Sequence, residues 1–278
     1  MFQSTLKNAV SFEGIGAHSG KICRVSIEPA ESEISFLKGG DVIAANFSSV
    51  LDSNLCTKLS AGGASVATVE HLLAAFYGLG VTAAAVRVDG DELPITDGSA
   101  LPFVEMILSV GIRKIDKKRK TLRVLRPVKI QEGEKWETLS PSDSFTINIE
   151  CDYAAKGLKT DPISFDFATG DFAKEIAPAR TFGFFAEAEF LRKNNLALGS
   201  SLENAVVFDE CGRPLNKDGL RLDNEPVRHK ILDVVGDLSL AGFEIKARFD
   251  AFCPSHKTNH ELLRRLFEDD ENYEITEE

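Results

Sequence analysis

The sequence predicts an α+β protein in two layered halves, and three observations carry that prediction. Short alternating or β-branched runs come in series and are followed by helical patterns, instead of alternating with them one by one. The segment RKIDKKRK at 113–120 is charged and poor in apolar residues, and it separates a helical pattern from a strand-like one, so it reads as a linker. With 278 residues the chain buries a substantial core without cross-links, and each side of that segment holds sheet and helix in similar amount.

In chain order, AVSFEGI (9–15), KICRVSIEP (21–29) and SEISFLK (32–38) alternate apolar with polar residues and predict strands. TVEHLLAAFY (68–77) repeats apolar residues at helical spacing until Gly78 stops it. TAAAVRVDG (82–90) returns to strand character, and ALPFVEMILSV (100–110) predicts a second helix. Beyond the linker, KTLRVLRPVKI (120–130) and SFTINIECDY (144–153) read as strands, and FAEAEFLRKNN (185–195) and 225–241 as helices. FEIKARFDAF (243–252) is the last expected strand and TNHELLRRLFE (258–268) the last helix. Residues 269–278 are acidic with little apolar content and read as a solvated tail. The expected domains are therefore 1–117 and 121–268, followed by that tail.

Forty-three acidic against 32 basic residues give a net charge of -11, the wrong sign for a phosphate-backbone binder, so nucleic acid is not an expected partner. The 5 cysteines form no CxxC pair and are odd in number, which fits neither a disulfide framework nor a thiolate metal site and points to a reducing cytoplasm. The N-terminus lacks a basic flank followed by an apolar core, and the longest apolar stretch, near 74–86, is too short to span a bilayer. The expectation is a soluble, cytoplasmic monomer acting on a small molecule, with at most transient contact at a membrane surface.

Chemistry concentrates in HKILDVVGD (229–237). Steps of four residues drift only about 40° around a helix, so His229, Asp233 and Asp237 share one stripe, although its two ends lie about 12 Å apart along the axis. One ion could be gripped by His229 with Asp233, or by Asp233 with Asp237; imidazole suits zinc and favours the first pair. The ordinary reading is a helix-surface ion pair, with Asp237 facing water.

ATVEHLLAAF (67–76) sets Glu70 beside His71, about 100° apart on a helix. A metal held by His71 would lie next to the Glu70 carboxylate. Catalytic zinc commonly keeps three protein ligands and one open position, and it lowers the pKa of water there to about 7, leaving Glu70 placed to take the proton. The ordinary reading makes Thr68 an N-cap, Glu70 a partner of the helix dipole and His71 a partly buried ring. In CPSHKTNHEL, His256 or His260 could act as general acid or cationic stabiliser, oriented by Asp237. His18, among the glycines of GIGAHSG, reads as a turn residue, and that spacing is not the dinucleotide fingerprint.

TVEHLLAAFYGLGV, ELPITDGSALPFV, APARTFGF, LENAVVFD and RHKILDVVGDL, in this order, resemble the landmark segments of the bacterial UDP-3-O-acyl-N-acetylglucosamine deacetylases. The similarity runs from about residue 3 to about residue 268. It implies removal of acetate from the sugar amide of an acylated UDP-N-acetylglucosamine during lipid A biosynthesis. It also implies two domains whose helices are sandwiched between two sheets, with the site at their interface. Carried over, the resemblance implies zinc ligands His71, His229 and Asp233, general base Glu70, acid or oxyanion stabiliser His256, and Asp237 in its support. Thr181 falls near the reacting carbonyl, Phe182 near the substrate, and Lys230 at a substrate-site lysine. The segment 152–165 falls where an acyl passage is expected. Ser255, preceded by Pro254, replaces a glycine usual in the family, and Lys58 replaces a small polar residue. The resemblance leaves open whether Glu70 or His256 protonates the leaving amine. The competing readings are a non-catalytic nucleotide-sugar-binding relative and a metal-free structural domain.

Overall fold

Six helices set the frame of the described residues, 2–277 of the computed structural model: α1 (Glu70–Gly78), α2 (Leu101–Val110), α3 (Phe172–Glu175), α4 (Phe185–Lys193), α5 (Glu225–Leu238) and α6 (His256–Phe267). On α1 every residue from Glu70 to Phe76 is buried, and α5 hides all but Arg228 and Lys230. Helices buried on every side belong at the centre of a core. Their ionisable residues therefore sit where desolvation is strongest.

Contacts run in layers from one sheet to the other. A five-stranded sheet, ordered Val10–Ile15, Ile22–Glu28, Ala85–Asp89, Ser35–Lys38, Asp41–Ala44, carries α2 on its first strand. Next, α2 touches α1, α1 lies along α5, and α5 packs on Thr146–Glu150 and Ile163–Asp166 of a seven-stranded sheet. In that second sheet Glu244–Phe252 is central, antiparallel to Lys135–Pro141 and parallel to Lys120–Val124 and Thr146–Glu150. The helix α6 covers Val128–Glu132 and Lys135–Pro141. Leu72, Leu73 and Phe76 from α1 and Phe36, Phe103 and Phe249 around it are among the fully buried side chains, each worth about 1.5–3 kcal/mol on leaving water. Among the described residues no helix is long and apolar enough to cross a membrane.

The mixed α+β class is as expected, but two segments differ. Residues 113–118 are not a loop: Ile112–Lys118 pairs antiparallel with Phe2–Leu6, with Ile115 buried, Arg113 half-buried and the other charges exposed. Charge there marks an edge strand that must discourage further pairing. Arg119 alone separates it from Lys120–Val124, and every strand pairing among the described residues stays on its own side of Arg119.

Over 269–277 the acidic segment 269–278 is likewise no solvated tail; residue 278 lies outside the described residues. Tyr273–Glu277 pairs antiparallel with Lys120–Val124, which sets Glu274 opposite Arg123 and Glu277 opposite Lys120, and Tyr273 packs on Phe267 with ring centres 4.9 Å apart. Its acids face a basic strand, so cross-strand charge pairs hold what composition alone describes as soluble. The run 120–130 is two strands, because Pro127 has no N–H for the ladder. The helix α6 begins two residues early, at His256, because Ser255 and Thr258 form a reciprocal capping box.

Candidate functional site

The first turn of α1 and the middle of α5 meet at a buried cluster. Nitrogens of His71 and His229 and a carboxylate oxygen of Asp233 lie within 4.8 Å of one another, a spacing that could hold a metal ion. Asp233 Oδ1 lies 3.3 Å from His229 Nε2 and 3.9 Å from His71 Nε2, and the two imidazoles stand edge to face with centres 5.0 Å apart.

The donor chemistry fits a cation. His229 Nδ1 donates to the Ala179 carbonyl at 3.0 Å, which leaves Nε2 bare and turned inward. Burial, with His229 alongside, lowers the His71 pKa to about 3, and burial lowers that of His229, so both rings are neutral. Burial works against the Asp233 carboxylate, but the cationic Lys230 and His256 outweigh it and hold its pKa below the ordinary value. Lys230 Nζ donates to Asp233 Oδ2 at 3.0 Å, leaving Oδ1 for the ion.

Around this cluster stands a second set. Thr57 N–H donates to Glu70 Oε2 at 3.0 Å, and Glu70 Oε1 lies 3.9 Å from His256 Nε2. That separation is too long for a hydrogen bond and leaves the facing edges of both groups available to a third. Burial raises the Glu70 pKa to about 8. His256 Nδ1 donates to Asp237 Oδ2 at 2.7 Å; burial opposes its charge, but Asp237 and Asp233 prevail and raise its pKa to about 10. The positive φ of the loop before it falls on Cys253 (φ 50), while Ser255 is extended at φ -142. Serine in place of glycine is thus accommodated, and its hydroxyl caps the helix instead.

A cleft of about 460 Å³ opens onto these groups. Thr181, Phe182 and Lys230 line it, with Lys230 Nζ 6.0 Å from the Phe182 ring centre. The segment APARTFGF is anchored by Arg180, which grips Glu225 at the start of α5 through Nε (2.8 Å) and Nη2 (3.1 Å). The apolar wall comes from Phe182, Phe184, Phe185, Leu191, Val207 and Leu215. The segment 152–165, expected at the acyl passage, does not line this cleft. Its Tyr153 ring backs Phe182 at 5.5 Å, and Ala155 and Lys156 border a smaller neighbouring cavity of about 210 Å³ on the other side of Phe184.

Of the ordinary readings, that of Thr68 fails: it does not cap α1, since its φ is 57 and its hydroxyl donates to Glu92 at 3.0 Å. That of His18 holds: it sits in a turn, where Glu92 accepts its backbone N–H at 2.9 Å, and the turn borders the cleft. His260, a candidate beside His256, sits with Thr57 and Asn259 around Asp237, all of them buried; sequence reasoning misses Thr57, which has no motif of its own, and Asn259, whose place beside His256 depends on the helix beginning at residue 256.

A family model described as UDP-3-O-acyl N-acetylglycosamine deacetylase matches residues 3–268. Among curated relatives, a protein of Syntrophus aciditrophicus (strain SB) is 42% identical over 278 residues, covering 98% of this chain and 88% of its own. Proteins of Shewanella sp. (strain W3-18-1) and Geobacter sp. (strain M21) are each 42% identical, covering 99% and 100% of this chain and 92% of their own. All three are named UDP-3-O-acyl-N-acetylglucosamine deacetylase.

Proposed function

The chain belongs to the UDP-3-O-acyl-N-acetylglucosamine deacetylase family, and from that membership we propose that it works as a zinc amidase, with His71, His229 and Asp233 as the metal's ligands. The reaction removes the acetyl group from the sugar nitrogen of UDP-3-O-acyl-N-acetylglucosamine in lipid A biosynthesis. The observation that carries the zinc reading is the convergence of two neutral imidazoles and one ionised carboxylate from two helices beside Glu70. When bound, such a dication polarises the acetyl carbonyl, acidifies water and favours the carboxylate form of Glu70 next to it.

Glu70, fixed through Oε2 by the Thr57 N–H, presents Oε1 as the general base that takes a proton from the attacking water. The new C–O bond puts negative charge on the former carbonyl oxygen. His256, cationic and aimed by Asp237, faces that charge from the side of Glu70, and Thr181 offers a hydroxyl from the cleft wall. As the C–N bond breaks, the nitrogen takes a proton from Glu70 or His256 and leaves as the amine, with acetate as the other product. Lys230 and Phe182 hold the sugar end, and the aromatic and leucine wall takes the acyl chain. In the same reading the protein works in the cytoplasm, where its free cysteines stay reduced.

Acetate release from the UDP-sugar, measured before chelation, after chelation and after zinc is restored, tests this reading. Activity should vanish and return. Turnover indifferent to chelation, in protein shown to be metal-free, would overturn it.

A further inference from the structure

Thr57 makes four polar contacts, and all of them lead to the active-site groups. Its N–H donates to Glu70 Oε2 at 3.0 Å, and its carbonyl accepts from Val69 N, one residue before α1, at 3.3 Å. Its hydroxyl lies 2.5 Å from Asp237 Oδ1 and 2.8 Å from His260 Nε2. It is fully buried and comes from the opposite half of the chain, 180 residues from Asp237.

We propose that Thr57 is the positioning residue that ties Glu70 to the Asp237–His256 pair, that Asp237 fixes the direction of its hydroxyl proton, and that His260 completes the chain by donating to that hydroxyl. This rests on the deacetylase reading above. A hydroxyl has one proton to donate, whereas an ionised carboxylate only accepts. Asp237 is held ionised despite burial, chiefly by His256, so the Thr57 proton points to Oδ1. Toward His260 the hydroxyl can then only accept, which puts the His260 proton on Nε2. Burial keeps that ring neutral, and its Nδ1 has no partner, as this tautomer requires of a bare acceptor.

Asp237 is thereby held at both oxygens. Oδ1 takes Thr57, and Oδ2 takes His256 Nδ1 and Asn259 Nδ2, both at 2.7 Å. A carboxylate pinned by three donors cannot rotate, so the His256 ring keeps Nε2 toward Glu70. One residue thus sets the base through its backbone and the acid through its side chain.

The test compares Thr57→Val, which keeps the shape and backbone N–H, with Thr57→Ser, which keeps the hydroxyl. In Thr57→Val, kcat should fall roughly 10- to 100-fold with KM nearly unchanged and zinc content intact, and Thr57→Ser should restore most of it. The nitrogen resonances of His260 in the metal-free wild type should report the proton on Nε2. A Thr57→Val enzyme with wild-type kcat, a serine variant no better than the valine one, or a His260 proton on Nδ1 would overturn the proposal. Absence of acetate release from the wild type would instead overturn the deacetylase reading, and the tautomer measurement would still decide the role of His260.

Discussion

Gly236 on α5 lies directly against the backbone of Glu70 on α1: a Cβ added at Gly236 would come within 2.2 Å of the Glu70 carbonyl oxygen. Glycine inside a helix ordinarily costs about 1 kcal/mol relative to alanine. Here it lets two helices approach until His71 and Asp233 reach one point.

Gly236→Ala should therefore destabilise, against the helix-propensity trend. The added methyl meets backbone, which cannot rotate away, so α1 and α5 must separate. We expect a loss of about 1–3 kcal/mol in urea unfolding, the range for overpacking, together with weaker metal binding. A variant as stable as the wild type would show that the helices have room to give.

The roles of Glu70 and His229 should separate cleanly. If His71, His229 and Asp233 hold zinc as proposed, Glu70→Ala leaves all three donor atoms in place, so zinc content should persist while turnover falls roughly 10²- to 10⁴-fold. On the same reading His229→Ala removes one ligand and should lose metal and activity together. Atomic absorption on both purified variants checks this, and equal metal loss in the two would cancel the division of roles.

The legible part of the site was the part set by local geometry. His229 and Asp233 are one helical turn apart, and Glu70 and His71 are neighbours, so their faces follow from the helix alone. Thr57 and Glu92 could not be found this way, because the contacts that place them at the site, with Asp237 and with His18, cross long stretches of chain. Composition misled where register decides: residues 113–118 and 273–277 look like solvent segments, yet each is a strand whose charges face water or an opposing strand.

Stability should fall as pH rises through Glu137. This residue, on Lys135–Pro141 beneath the start of α6, is fully buried. Burial raises its pKa to about 8, opposed only in part by Thr258 and Ser255. The folded protein therefore keeps a proton that the unfolded chain releases near its ordinary value of 4.5. The contribution is complete below that value and is lost as pH climbs through about 8. Within the window the slope attributable to this group approaches roughly 1.4 kcal/mol per pH unit. Glu137→Gln should flatten the dependence of unfolding free energy on pH by that amount, and an unchanged slope would refute it.

Loss of the contact between Arg180 and Glu225 should reach the proposed metal site indirectly. Their side chains are only 8% and 0% exposed, and the Arg180 backbone N–H adds a third bond to Glu225 at 2.9 Å. Arg180→Met leaves the buried carboxylate only its backbone donors, the N–H groups of residue 180 and Arg221, and removes its charge partner, which costs up to about 3–5 kcal/mol. Ala179, the preceding residue, supplies the carbonyl that orients His229, so zinc affinity should also fall, roughly 10- to 100-fold. Adding Glu225→Gln removes the stranded charge and should recover much of the stability. It leaves Arg180's hold on the strand missing, so the affinity should stay low. Recovery of both together would mean that the pair serves only the fold, and that His229 is held by its helix alone.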